Sequence, residues 1–141
     1  MTRLKVYQEK MEKRLKIIET IRSILLEEQK VVFAFLYGSF YSEQYFRDVD
    51  VGIFVRELDS SIFSDYELKL SQQIEKAILF PYPVEVKIIN NAPLSFCFSV
   101  LQGRLLFTCD EEVLISYMTE IARKYLDFAP LRHRYMLEAM K

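Results

Sequence analysis

Two cysteines and one histidine among 141 residues leave little material for a soft-metal site. Cys97 and Cys109 stand in unrelated contexts without metal-ligand spacing, and they read as reduced thiols rather than as a disulfide. His133, between two arginines, has no second histidine or cysteine beside it and reads as solvated or partner-facing. With three glycines there is no flexible linker, and no internal repeat or low-complexity tract occurs. No apolar run approaches the roughly 20 residues of a membrane span, and the charged start MTRLKVYQEKMEKRLK lacks the apolar block of a secretory signal. The expectation is a cytoplasmic protein with no membrane contact. Charge of either sign is also lacking in excess: 19 Lys and Arg against 20 Asp and Glu give a net charge of −1. The broad basic surface of general nucleic-acid binding is therefore missing, and no direct DNA binding is expected. What is present is an ordinary globular composition, half apolar, at a length that buries one core. A single domain over residues 1–141 follows, with an N-terminal helix over about 7–28, a core over about 31–109 and a C-terminal helical segment over about 110–141.

Chemistry concentrates in FLYGSFYSEQYFRDVDVGIFV, Phe35 to Val55. The continuous apolar run Val31 to Leu36 has the pattern of a central strand covered on both sides. It leads to Gly38 and Ser39, and a second strand starts near Asp48. Side chains alternate along a strand, so Asp48 and Asp50 share one face and Val49, Val51, Ile53 and Val55 the other. With a rise of about 3.3 Å per residue the two acids stand roughly 7 Å apart at their alpha carbons, a spacing that suits two oxygen ligands on one hard cation such as Mg²⁺. Glycine followed by a hydroxyl residue at a strand end offers amide and side-chain donors to phosphate. Either feature alone is more often a plain turn or a pair of solvated acids, and their conjunction within one β-turn-β unit is what argues for a site. Between them lie Phe40, Tyr41, Tyr45 and Phe46, which either stack on a base, meet a partner or fold back over the sheet edge. Arg47 is the one cation nearby in sequence.

The remaining elements follow in order. Met11, Leu15, Ile18, Ile21 and Leu25 draw an apolar stripe on the first helix, with the charged residues on its solvated side. Ser64 and Glu67 have the form of a capping box for a helix to about Leu79, which Pro81 and Pro83 end. Val84, Val86 and Ile88 then alternate with Glu85, Lys87 and Ile89 along a strand. If that strand lies beside the Asp48–Asp50 strand with apolar faces matched, Glu85 joins the two aspartates. Asn91 or a neighbour caps a short helix with Pro93 in its first turn, Gly103 stops it, and Arg104 to Thr108 forms a last strand. Val113, Tyr117, Ile121, Lys124 and Tyr125 mark the seam of a long helix, which Pro130 should kink or break. The apolar tail residues Leu131, Tyr135, Met136, Leu137 and Met140 either pack on the body or serve a partner.

The run GSFYSEQYFRDVDV resembles the signature of the DNA polymerase β-like nucleotidyltransferase superfamily, a Gly-Ser pair followed by Asp-x-Asp at the next strand. In particular the chain is similar to the minimal nucleotidyltransferases, often paired with a HEPN-domain protein as antitoxin and toxin, and PVEVKIINNAPLSFCFSVLQGRLLFTCDEE extends the likeness over most residues from about Phe33 onward. The resemblance implies an α/β fold, a small mixed sheet with helices packed on one face and the acids on the open face. It implies Asp48, Asp50 and Glu85 as catalytic and metal-holding residues for two Mg²⁺ ions, and Gly38 and Ser39 as the nucleotide-binding pair. The implied reaction is transfer of AMP from ATP to a hydroxyl, that of a tyrosine on a HEPN toxin. Two departures are visible: Glu85 stands where relatives commonly carry aspartate, and Tyr41-Ser42-Glu43-Gln44 lacks their second glycine. These leave open a contact antitoxin that neutralises its partner without chemistry, and more weakly a nucleotide sensor. Homo-oligomerisation stays open as well.

Overall fold

The computed structural model describes residues 6–79 and 82–139, with side chains as far as Asp127. Pro81 and the tail side chains from Leu131 to Met140, His133 included, lie outside the described residues. The elements run β1 (Tyr7–Gln8), α1 (Met11–Leu26), β2 (Val31–Tyr37), α2 (Ser39–Ser42), β3 (Tyr45–Phe46), β4 (Val49–Val55), a 3₁₀ turn (Ser60–Ile62), α3 (Phe63–Ala77), β5 (Val84–Ile88), α4 (Leu94–Leu101), β6 (Arg104–Thr108) and α5 (Glu111–Ala139). Four strands form a mixed sheet in the order β5-β4-β2-β6, and β1 pairs with β3 in a separate two-stranded ribbon. β2 is antiparallel to both β4 and β6, and β5 is parallel to β4. A parallel neighbour requires a crossover, which the 3₁₀ turn and α3 supply.

The mixed sheet is as expected, but the helices, expected on one face, cover both. Val31, Ala34, Leu36, Val51, Ile53 and Val86 pack beneath Ile17, Ile21 and Leu25 of α1 and Leu70 and Ile74 of α3. Phe33, Phe35 and Ile89 pack with Cys97 and Val100 of α4 and Leu114, Tyr117 and Ile121 of α5. The physical reason lies in β2, which is buried from Val31 to Leu36 and so has two apolar faces to cover. Gly52 marks where α4 crosses the sheet, since a Cβ there would stand 2.6 Å from Val100 Cγ1. Phe33 stacks on Phe54 at 5.0 Å, and the buried Tyr117 hydroxyl donates to Ile89 O at 2.7 Å.

Several local expectations give way to tertiary partners. The first helix begins at Met11 because Tyr7 and Gln8 are taken into the ribbon opposite Phe46 and Tyr45. Its stripe is rotated: Met11 and Leu15 are exposed, while Arg14, Ile17, Ile18, Ile21 and Leu25 are buried. Asn91 caps nothing as a helix start; α4 begins after Pro93, and Asn90 instead closes the end of β4, accepting from Val55 N at 2.9 Å and donating to Val55 O at 2.7 Å. α5 continues through Pro130 to Ala139. A proline removes one backbone hydrogen bond, and the turns on either side keep theirs, so the helix does not end there.

Ser64 and Glu67 form no capping box, for the helix starts at Phe63 without a side-chain cap. Glu67 belongs instead to a ladder that protects the sheet. β5 is an edge strand, and its outward N–H groups would otherwise be unpaired. Val84 N donates to Glu75 Oε1 at 2.9 Å, Val86 N to Ser71 Oγ at 3.0 Å and Ile88 N to Glu67 Oε2 at 2.7 Å. The three acceptors are spaced four apart on α3, which is why one helix face can follow alternate residues of a strand. Ser71→Ala strands the buried Val86 N–H, and an unsatisfied buried donor costs about 1–3 kcal/mol. The urea midpoint should fall by that free energy divided by the slope, which itself stays unchanged; an unshifted midpoint would show that the ladder contributes nothing.

Candidate active site

β2 delivers the chain to Gly38, whose φ of 82° and ψ of −167° belong to a region that glycine alone enters freely. A Cβ at Gly38 would lie 2.5 Å from Asp50 Oδ2, so the glycine is also the space that the carboxylate occupies. The chain then makes one helical turn, with Tyr41 N and Ser42 N donating to Gly38 O at 3.1 and 3.2 Å and Glu43 N to Ser39 O at 2.8 Å. This turn uses right-handed backbone, and among the described residues the only non-glycines at positive φ are Glu57 and Leu79, both elsewhere. The missing second glycine is therefore not needed to shape this loop. Its aromatics divide: Phe40 and Phe46 are buried in the core, while Tyr41 and Tyr45 are exposed.

β4 brings the acids into place. Val49 N donates to Pro83 O at 2.9 Å, which aligns β4 with β5 so that Val49 stands beside Val84 and Asp50 beside Glu85. The valines enter the core and the acids turn to the other face. Carboxylate oxygens of Asp48, Asp50 and Glu85 lie within 4.8 Å of one another. Asp48 and Asp50 are half-buried and Glu85 is exposed. Lys87 Nζ is 3.4 Å from Glu85 Oε1, but both side chains are half exposed, where such a pair contributes little.

The cluster is electrostatically unrelieved. Burial, then the charge and hydrogen bond of Asp48, then the charge of Glu85, push the Asp50 carboxyl up to about 7. Tyr37, opposite Asp50 on β2, has its hydroxyl held protonated well above the usual tyrosine range, by burial first and then by the charges of Asp50, Glu85 and Asp48. Three convergent oxygen donors of like charge, one of them burdened by the other two, form a donor set suited to a hard cation. Asp48, Asp50 and Glu85 are the residues that could hold one, with Gly38 and Ser39 adjoining on the neighbouring strand end. Arg47 is exposed on the approach to β4. Tyr37 and the buried Arg14 went unremarked in the sequence. For Arg14 the available signal was its place at i−4 from Ile18 and i−7 from Ile21, within the stripe itself.

Comparison with known proteins fits this arrangement. The family model described as Polymerase beta, Nucleotidyltransferase matches residues 19–112, more than half of the chain, and the chain belongs to that family. Among solved structures it is similar to a Shewanella oneidensis complex of tri-AMPylated HEPN toxin with MNT antitoxin, at 17% identity and a TM-score of 0.62, covering 92% of this chain and 98% of that chain. A toxin–antitoxin structure with AMP-PNP matches at 18% identity and a TM-score of 0.64, covering 91% and 98%. A mutant of the toxin–antitoxin MntA-HpeT matches at 18% identity and a TM-score of 0.65, with the same coverage. Identities this low speak to the fold alone. No curated protein matches the sequence. Among the described residues no helix is long and apolar enough to cross a membrane.

Proposed function

We propose that this protein is a cytoplasmic, single-domain nucleotidyltransferase that moves AMP from ATP to a hydroxyl of a HEPN-domain partner, acting as its antitoxin. The observation that carries the reading is the convergence of the Asp48, Asp50 and Glu85 carboxylates beside Gly38 and Ser39 in a chain of the nucleotidyltransferase family. The toxin–antitoxin fold neighbours support the partner class. Asp48, Asp50 and Glu85 would hold Mg²⁺, which when bound neutralises phosphate charge and makes an oxygen more nucleophilic. Gly38 and Ser39 bind the triphosphate through backbone N–H and hydroxyl donors. The acceptor oxygen forms a bond to the α-phosphorus as the bond to pyrophosphate breaks, and the acceptor's proton passes to the exposed Glu85 carboxylate. Exposure of Glu85 suits a macromolecular acceptor that must approach from outside.

A second reading, neutralisation by contact alone, is favoured by one observation: the third acid of the cluster is Glu85, one methylene longer than the aspartate common in relatives, and it lies exposed. Labelled ATP, Mg²⁺ and the HEPN partner separate the two, with Asp48→Asn/Asp50→Asn as control. Label on the partner that disappears with the control is the expected result. An unlabelled partner that is nonetheless bound and silenced would leave the contact antitoxin.

A further inference from the structure

We propose that Arg14 is a positioning residue for this transfer, a clamp from α1 that holds the backbone after Gly38–Ser39 in its turn. The inference rests on the nucleotidyltransferase reading. Arg14 is only 7% exposed, although it stands on a helix whose other charged side chains are largely exposed. Its four hydrogen bonds all end on backbone carbonyls. Nη1 donates to Phe40 O at 2.9 Å and to Glu43 O at 2.7 Å, Nη2 donates to Gln44 O, and Nε donates to Glu9 O at 3.1 Å. The guanidinium also lies over the rings of Phe40 and Phe46, 5.5 and 4.9 Å from their centroids.

Three of those carbonyls belong to the short segment that begins one residue after Ser39. Between its anchors the side chains of Tyr41, Ser42, Glu43, Gln44 and Tyr45 are all exposed, and apart from Arg14 the turn is held by its own bonds to Gly38 O and Ser39 O. Its apolar anchors are Phe40 and Phe46, which meet edge to face at 4.8 Å, and Arg14 covers both. At the far end β1 pairs with β3, Tyr7 opposite Phe46 and Gln8 opposite Tyr45. Residues 7–14 therefore grip the loop at both ends, and the loop links the phosphate-binding pair to Asp48. A planar fork with five donors can serve several carbonyls in fixed directions, which a single ammonium cannot. Ordering the loop in advance spares the nucleotide that cost on binding.

Arg14→Lys is the test, because it keeps the charge and the stem while losing the fork. The variant should still unfold cooperatively. Amides of Tyr41, Ser42 and Glu43 should exchange about tenfold faster or more, as when one hydrogen bond to a charged group is lost, while those of β2 and β4 keep their protection. The kcat/KM for ATP should fall about tenfold, because the cost of ordering the loop is now met on nucleotide binding. Most of that fall should be a raised KM, whereas a merely smaller folded fraction would lower kcat and leave KM alone. Parental exchange at residues 41–43, or faster exchange with an unchanged KM, overturns the proposal. Loss of cooperative unfolding overturns it too, since Arg14 would then be a general core residue. If the parent protein transfers no label at all, the transferase reading falls, and the exchange contrast still decides whether Arg14 holds the turn.

Discussion

Asp50→Asn should abolish nucleotidyl transfer and, in metal-free solution at about pH 8, make the folded protein more stable than its parent. The first effect follows from removing one of three carboxylates within 4.8 Å of one another. Several kcal/mol of charge stabilisation rest on such a set, and about 4 kcal/mol corresponds to a thousandfold in rate. The second effect follows from the raised carboxyl. Asp50 releases its proton near 3.8 in the unfolded chain and only at about 7 in the fold. The fold therefore binds that proton more tightly, stability is greatest below about pH 4, and it is lost as pH rises through about 7. Asparagine carries no charge and escapes this loss. The gain should be about 1 kcal/mol, a few degrees in Tm, because a half-exposed carboxylate is screened by solvent. Thermal unfolding of both proteins at about pH 4 and pH 8, with EDTA and with Mg²⁺, checks it. The expected pattern is a gain for the variant at pH 8 that shrinks at pH 4, and a Mg²⁺ gain for the parent that the variant lacks. Equal curves for the two proteins in EDTA at both pH values would show that the Asp50 charge is already relieved. An equal Mg²⁺ response would remove Asp50 from the metal set.

Gly38→Ala should bring the next largest loss. Its backbone, at φ 82° and ψ −167°, is strained for any residue with a Cβ by about 1–3 kcal/mol. The new methyl would also press on Asp50 Oδ2 at 2.5 Å, so either the turn or the carboxylate must move. Displacement of the order of 1 Å at reacting groups lowers rate about a hundredfold. Transfer should fall by that order, Tm should drop by several degrees, and the Mg²⁺ stabilisation should weaken along with activity. The useful contrast is Ser71→Ala, which acts at the ladder on the far side of β5 and should reduce stability while leaving kcat/KM unchanged. If Gly38→Ala kept full transfer, the Gly38 turn would have no part in placing the nucleotide.

The arrangement of Asp48 and Asp50 was legible in the sequence because it depends on local alternation. Val49, Val51, Ile53, Val84, Val86 and Ile88 had to be buried, which sends Asp48 and Asp50 to the opposite face of their strand and Glu85 to that of its own, and the parallel pairing of β4 with β5 joins the three. The Gly38 turn was legible for a similar reason, since glycine before a hydroxyl residue at a strand end announces backbone that other residues avoid. Less of the surroundings could be read. Ser64 and Glu67 matched a local capping pattern, yet Glu67 serves Ile88 N across 21 residues of sequence. Asn90 looked like part of a helix start and instead closes β4 at Val55. Met11 and Leu15 fitted the apolar stripe, but Arg14 took the buried position because its carbonyl partners lie 26 to 30 residues away. By itself the sequence determined the order of the elements, the parity of the strands and the common face of Asp48 and Asp50, all of which follow from spacing along the chain, whereas Glu85 joins them through the pairing of β4 with β5. Only the tertiary structure decided that helices cover both faces of the sheet, that the edge strand is closed by α3 and that a buried arginine holds the loop. The first depends on the apolar surface that several strands assemble on each face of the sheet, the other two on which distant backbone groups lack a hydrogen-bond partner, and spacing along the chain carries no record of either.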